Sequence, residues 1–506
     1  MLLFTIGTTL IGILLAAVVL ESVFSSTTER EPDKLRSPVP LVGHLIGILK
    51  RHTGYFNDLY QKCGMAIATL PMPGGKIYAI WDLNLIQSGL TNKAMSFNAI
   101  MIHHAQGLLG LEDASIKIAE ESLLEDLMHV TKPLLAGQPL AEMSAGLLNH
   151  ACHILDDMLT ESTFVTPDFY DWVLKIGTLA TTEALYGEKN PISKDPSLMI
   201  DVWLFESGLR RLAMNLLPGL TARQELAARD RLVASIKPLF EKNAATEKTL
   251  PRLTAQRLRT IRDGGITDPE QIARIELALL HGATVNTIPT LFWTLVQVLA
   301  RPELVQAIRQ EALPYVSPGD EITVPIKLLD TSMPLLTSTY REATRLANSA
   351  MSTRFVMSDA TLKDLHGHEY TFPAGSTVLM PASSHMSLEV WGPDVDQFKP
   401  RRFYDWDRRE KPEFKKRRQA YMPFGGGKHL CPGRNLAKFE ILGLTLALVL
   451  TFDVEDANKT GRPIRVPELE AARMGQGVGK PAGEAKMAVK FTVRKGWEKT
   501  KWSFIA

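Results

Sequence analysis

The sequence predicts an α-rich α+β protein: one large, mainly helical domain with strands toward its two ends, behind an N-terminal membrane anchor. Three observations carry that reading. The nineteen residues from Leu2 to Leu20 hold no charge. Residues 140–260 read mostly as amphipathic helices with short breaks, and one long helix follows them. Strand signals show at KIYAIWDL (residues 76–83) and again only near the C-terminus, in KMAVKFTVR.

A length of 506 residues is long for a single core. Hydrophobic residues make up 45% and charged residues 22%, a globular composition that excludes long disorder. A formal charge of +2 gives no general pull toward nucleic acid, so electrostatic docking has to rest on a local patch. The three cysteines, Cys63, Cys152 and Cys431, are too few and too scattered for a disulfide framework or a multi-cysteine zinc site. They favour a reducing compartment.

A bilayer core takes roughly 20 apolar residues to cross. A cleaved secretory signal would begin with basic residues, have a shorter apolar run and end on a small-residue cleavage site. Here no basic residue precedes the run, and Arg30, Lys34 and Arg36 follow it, which places the downstream chain on the cytoplasmic side. Residues 1–25 therefore read as a retained anchor, 26–45 as a linker and 46–506 as the domain. Pro38 and Pro40 would stiffen the exit from the membrane, although an ordinary linker fits them as well.

One long helix is well marked. Asp268 suits its cap, Pro269 its first position, and Gln271 a capping box. The pattern runs to about Ala300, or roughly 45–50 Å, enough to cross a domain. Its middle breaks helix rules: Gly282 weakens it and Pro289 removes an amide donor. Thr284, Asn286 and Thr287 are polar in an apolar segment. Either they form a satisfied polar patch in a kinked core helix, or the helix opens where a ligand sits.

TSTYREATRL (337–346) reads as a helix carrying Glu342 and Arg345, and FKPRRF (398–403) as a loop. Residues 435–452 are apolar almost all round. Lys438 and Glu440 shorten the run below membrane length, so it reads as a buried helix. In the last strand Val489, Phe491 and Val493 face one way and Lys490, Thr492 and Arg494 the other.

The stretch FGGGKHLCPGR (424–434) sets Cys431 among glycines, which let a backbone approach a ligand closely. A thiolate there is a nucleophile or a metal ligand. A nucleophile wants a base, and His429, two residues away, is awkwardly placed for it. Zinc wants more ligands than one cysteine. Haem needs a single axial ligand, a thiolate favours O–O cleavage, and a flat group explains glycines lying against its face.

Phe424, Gly427, His429, Cys431 and Gly433 form the pattern Phe-x-x-Gly-x-(Arg or His)-x-Cys-x-Gly. It resembles the haem-binding loop of the cytochromes P450, and the resemblance extends over about residues 35–500. It implies the cytochrome P450 fold with one N-terminal transmembrane helix. It also implies haem b ligated through Cys431 and held by Phe424, Gly427, His429, Gly433 and Arg354, the last with His429 as haem-propionate partners. Glu342, Arg345 and Arg402 match the family's Glu-Arg-Arg set, a buried ion network that supports the haem loop.

Two departures stand out. The family's early-helix tryptophan and arginine are missing, since residues 101–140 hold neither; His129 or Lys132 are candidate replacements against the alternative of a solvated polar face. In the long helix the register Gly282-Ala283-Thr284-Val285-Asn286-Thr287 puts valine where the family has an acid and asparagine where it has an alcohol. An acid relays protons, whereas an amide only donates and accepts hydrogen bonds. This helix resembles sterol 7α- and 12α-hydroxylases and prostacyclin synthase, which leaves the kind of turnover open. Asn286 and Thr287 are the candidate catalytic residues, as groups that order water for protonation.

The resemblance, with a haem-loop wording similar to fungal secondary-metabolism members, implies a monooxygenase on the endoplasmic reticulum membrane. Its substrate would be an apolar terpenoid, steroid or polyketide. Residues near Asn286, 350–355 and 475–479 would line the pocket. Electrons would come from NADPH through NADPH–cytochrome P450 reductase, with cytochrome b5 as a second candidate partner. Residues 399–418 hold ten Lys or Arg and four Asp or Glu, either a docking patch for such a partner or a solvated loop. Two rivals are a reductase-independent isomerase or dehydratase and a non-catalytic haem-binding membrane protein.

Overall fold

The computed structural model describes residues 27–506 apart from 38, 242–248, 407–411, 474 and 484–485. The expected anchor, residues 1–25, lies outside the described residues. Among those described, no single helix is long and apolar enough to cross a membrane.

A five-stranded sheet is built from β1 (Ile67–Met72), β2 (Gly75–Ile80), β3 (Met95–Ser96), β4 (Met351–Val356) and β5 (Thr377–Pro381), in the order β1-β2-β5-β4-β3. The β2–β5 pair is parallel and the other three are antiparallel. The strand expected at 76–83 is β2, although Leu83 already starts a helix. Strands therefore do not keep to the two ends of the chain. β4 and β5 come from its middle, and their sequences hide this. β4 reads MSTRFV, with Arg354 only 2% exposed inside it.

Part of the expected linker joins this sheet. The Leu35 amide donates to the Thr69 carbonyl (2.8 Å) and the Thr69 amide to that of Asp33 (2.9 Å). β1 is an edge strand whose free backbone groups take up the passing chain. Glu31, 7% exposed, is fixed there by Lys76 (2.5 Å) and the Tyr78 hydroxyl (2.6 Å).

The C-terminal strand Val489–Val493 forms as expected and lies between Phe452–Asp456 and Thr163–Thr166. Val489 and Phe491 are buried. Helices fill most of the rest: α1 (Leu83–Thr91), α2 (Ser197–Met214), α3 (Pro269–Thr284), α4 (Thr287–Leu299), α5 (Pro334–Ala347) and α6 (Arg434–Thr451) position the site. Gly137–Met158, Phe169–Tyr186, Arg223–Ile236 and Arg252–Asp263 supply the other amphipathic helices.

The long helix is two helices with Val285 and Asn286 between them. Pro289 has no N–H to give the Val285 carbonyl, so the ladder fails one turn before the proline. Asp268 caps α3 through the Glu270 amide (3.2 Å). The capping box does not form, because the Gln271 side chain accepts instead from the Glu112 amide (3.1 Å). α6 is buried on nearly all sides. Lys438 escapes to Asp330 at the surface (2.7 Å), while Glu440 stays inside, 2% exposed, with the Thr181 hydroxyl at 3.2 Å.

The main apolar core packs α3, α4 and α6 among the other long helices. A smaller core on the sheet joins Tyr78, Leu90, Val356 and Met422. Met422 fastens the segment just ahead of the cysteine loop to that sheet.

Candidate active site

The site rests on a set of buried ions. Glu342 and Arg345, on one face of α5, pair through both carboxylate oxygens at 2.8 and 2.9 Å, and neither side chain is exposed. Arg402 reaches the same carboxylate at 2.8 Å, and the Lys399 amide adds a bond at 3.1 Å. The remaining Arg402 donors go to the carbonyls of Trp391 (3.0 Å) and Asp394 (2.8 Å). The planar guanidinium of Arg345 lies 5.2 Å over Trp391 and donates to the His385 carbonyl (2.7 Å). With charges paired and donors filled, the set is rigid rather than merely costly to bury.

His385 carries this rigidity to the cysteine loop. Its Nε2 accepts the Met422 amide (2.9 Å), so Nδ1 holds the proton and donates to the Asn348 carbonyl (3.2 Å). Burial, with Arg345 beside it, pushes its pKa down to about 4, so the ring is neutral. Asn348 in turn donates to the Pro423 carbonyl (3.3 Å). Neither His385 nor Asn348 was legible as a site residue, since a lone His or Asn carries no motif.

The loop then turns over α1. A Cβ on Gly427 (φ 64°) would sit 2.3 Å from the Leu90 carbonyl oxygen, and one on Gly426 2.7 Å from the Leu90 side chain. These two glycines allow the close approach of α1. Cys431 follows, half-buried, its amide on the Phe424 carbonyl (3.1 Å). Burial raises its thiol pKa, while the amides of Gly433 and Arg434 and the Arg434 charge lower it. Those amides open the eighteen-residue helix α6, so its positive end faces the sulfur.

Close to the cysteine in the loop, side chains from three segments cluster. Arg354 extends from β4 across Phe97 (5.7 Å), which touches His429 (5.4 Å). Arg354 Nε and His429 Nε2 are buried and have no partner. Burial pushes Arg354 down to about 10, and burial with Arg354, Lys428 and Lys132 pushes His429 down to about 4. Of the two candidates for the missing early-helix contact, the exposed His129 stays apart. Lys132 reaches the loop, donating to the Lys428 carbonyl (3.2 Å).

Residues 207–476 match the family described as cytochrome P450. A cytochrome P450 monooxygenase of Gibberella zeae is 34% identical over 94% of this chain and 91% of its own length. The chain belongs to the cytochrome P450 family. The cytochrome P450 monooxygenase nodJ of Hypoxylon pulicicidum is 27% identical over 94% of the chain and 92% of its own. Cytochrome P450 7A1 of Oryctolagus cuniculus is 28% identical over 52% of the chain and 54% of its own. The protein is an enzyme of the P450 monooxygenase class, with a P450 fold that is mainly helical.

A P450 carries haem with a cysteine thiolate on its iron, and the residues present fit one. A single cysteine faces a helix N-terminus, and two buried, unpartnered donors wait beside it for acidic groups of the kind haem propionates supply. At the helix break a Cβ on Gly282 would meet nothing within 4 Å, so that side is open. Asn286, one turn on, is exposed, and its Oδ1 accepts the Gly477 amide (2.8 Å). The Gly477 carbonyl takes the Ser349 amide (2.9 Å), next to Asn348, so the break and the cysteine loop share one hydrogen-bonded frame. Thr287 is half-buried at the first position of α4, and Val285 is 4% exposed.

The basic segment is less free than its composition suggests. Arg402 is inside the ion network. Lys399 pairs with Asp394 and Lys416 with Glu389. Arg417 lies over Trp391 and Phe414, and Arg418 donates to the Trp406 carbonyl (3.1 Å). Among the described residues of 399–418, Arg401 and Lys415 are the exposed bases without an ion pair.

Proposed function

We propose that this P450 is a haem-thiolate monooxygenase in which Cys431 ligates the iron of haem b. It hydroxylates or epoxidises an apolar small molecule, a terpenoid, steroid or polyketide of secondary metabolism. Electrons come from NADPH through a P450 reductase, with cytochrome b5 as a further donor. Residues 1–25 hold the enzyme on the endoplasmic reticulum membrane, with the domain on the cytoplasmic side. One observation carries the reading: Cys431 at the N-terminus of α6, beside the unpartnered donors of Arg354 and His429.

Bound there, haem supplies the activation of oxygen. The chain's own residues do the rest. Backbone amides of Gly433 and Arg434 moderate the charge on the sulfur. Arg354 and Lys132 offer positive charge to the propionates, and the neutral His429 ring offers a hydrogen bond. Glu342, Arg345, Arg402 and His385 keep the loop from shifting. Asn286 and Thr287 hold water at the helix break, and α3 and α4 wall the pocket with apolar side chains.

The test is NADPH consumption and oxygen uptake by membranes holding this protein and a reductase, across terpenoids, steroids and polyketides. Uptake that depends on a substrate and matches product supports the reading. Val285 in the acid position, with Asn286 Oδ1 engaged by Gly477, favours one alternative, rearrangement of a peroxide without a reductase. Product formed without NADPH or oxygen would establish that alternative instead.

A further inference from the structure

Three segments meet at the end of the pocket loop remote from Asn286. The Ala472 carbonyl accepts both the amide (3.2 Å) and the hydroxyl (2.8 Å) of Thr53, which sets His52 beside Arg473. Arg473 donates to the Ser207 carbonyl of α2 (3.4 Å), one turn from Arg210 on the same helix. Arg210, Arg473 and His52 thus share one place. All three are half-buried, and Arg210 Nη1 and His52 Nδ1 are buried without a hydrogen-bond partner.

His52 also sits at φ 52°, ψ −134°, a backbone state that a non-glycine residue adopts only under constraint. Burial lowers the pKa of both His52 and Arg210, with Arg473 repelling each. Glu470 is the acid that faces His52. The other nearby acid, Glu206, is occupied by Lys480 (2.6 Å) and Gln476. Two guanidiniums and a histidine face one available acid, and a guanidinium nitrogen and a ring nitrogen stay idle, an arrangement that lacks an anion.

We propose that Arg210, Arg473 and His52 form a site for the carboxylate of an otherwise apolar substrate. The inference rests on the monooxygenase reading and names the substrate class within it. The same loop that carries Arg473 carries Gly477, held on Asn286. They are four positions apart, a backbone reach of at most ~14 Å. An elongated acid, anchored at the three bases, would place its apolar end at the helix break.

The probes are palmitic and abietic acids and their methyl esters, added to the full-chain holoprotein. Binding is read by the shift in haem absorption and by calorimetry. Both acids should bind about tenfold tighter than their esters. Arg210→Gln and Arg473→Gln should each remove most of that preference and leave ester affinity unchanged. Equal affinity of acid and ester, or variants that weaken both alike, overturns the proposal. A phosphate headgroup offers similar chemistry, so the variants are also tested on phosphatidylglycerol and phosphatidylcholine vesicles. Loss of phosphatidylglycerol binding with acid binding intact assigns the bases to lipid and overturns the substrate site. A reduced carbon monoxide spectrum without a thiolate signal would sink the haem-thiolate reading itself. Calorimetry with the acids still reads the anion site in that case.

Discussion

The network behind Cys431 and the cluster of Arg210, Arg473 and His52 both contain arginines with buried nitrogens, and they use them in opposite ways. Behind the cysteine, Arg345 and Arg402 share the Glu342 carboxylate, and their other donors end on carbonyls. Near His52, Arg210 keeps a buried nitrogen idle, and Arg354 does the same near the cysteine loop. A paired buried charge fixes shape, whereas an unpaired one costs free energy until a ligand arrives. Arginine count alone does not separate scaffold from site. The state of each donor does.

The largest effect expected from breaking this contrast is at Glu342. Glu342→Gln strands two buried guanidiniums and should cost about 3–5 kcal/mol by urea denaturation, with loss of bound haem. A cost under about 1 kcal/mol would mean that solvent screens the network, as at a surface pair.

Glu440 tests the same idea with an acid that has a single weak partner. Burial lifts its pKa from 4.5 to about 8, against the small opposing pull of the Thr181 hydroxyl. The folded state therefore holds a proton that the unfolded chain gives up near 4.5. Stability is full below that value and falls as pH rises toward 8. Glu440→Gln removes the dependence, so its advantage over the native protein should grow by roughly 2–4 kcal/mol between pH 5 and 8. Parallel stability curves for the two proteins would contradict the raised value.

A smaller effect is expected at Asn286, which holds the Gly477 amide. Asn286→Ala frees the Gly477 amide, for about 1–2 kcal/mol of stability, and should lower product formed per NADPH consumed. Asn286→Asp keeps the acceptor. If Asp restores stability but not coupling, the amide's donors manage water; if it restores both, the residue only pins the loop.

What the sequence showed divides along the same line. Cys431, Gly427 and the Glu342–Arg345–Arg402 set were legible because they recur as spaced patterns. The helix break was legible because Pro289 cannot donate. Strand β4 was missed because MSTRFV mixes apolar, hydroxyl and charged groups with no clean alternation, and β5 because the short apolar run TVLMP has no strand periodicity of its own. His385, Asn348, Arg210 and Arg473 were missed because their roles arise from contacts between segments far apart in the chain. His52 meets Arg473 only after Thr53 bonds to Ala472. The basic segment at 399–418 misled in the other direction, since a charge count does not show which bases are already paired.

The central proposal is that Cys431 would supply the thiolate ligand of the haem iron. The direct measurement is the absorption spectrum of the reduced carbon monoxide complex for the native protein and Cys431→Ser. The native protein should give the thiolate-type band, and the variant should lose it while retaining its fold by circular dichroism. A folded variant that keeps the thiolate-type band would contradict the claim and leave Cys63 or Cys152 as the source of sulfur.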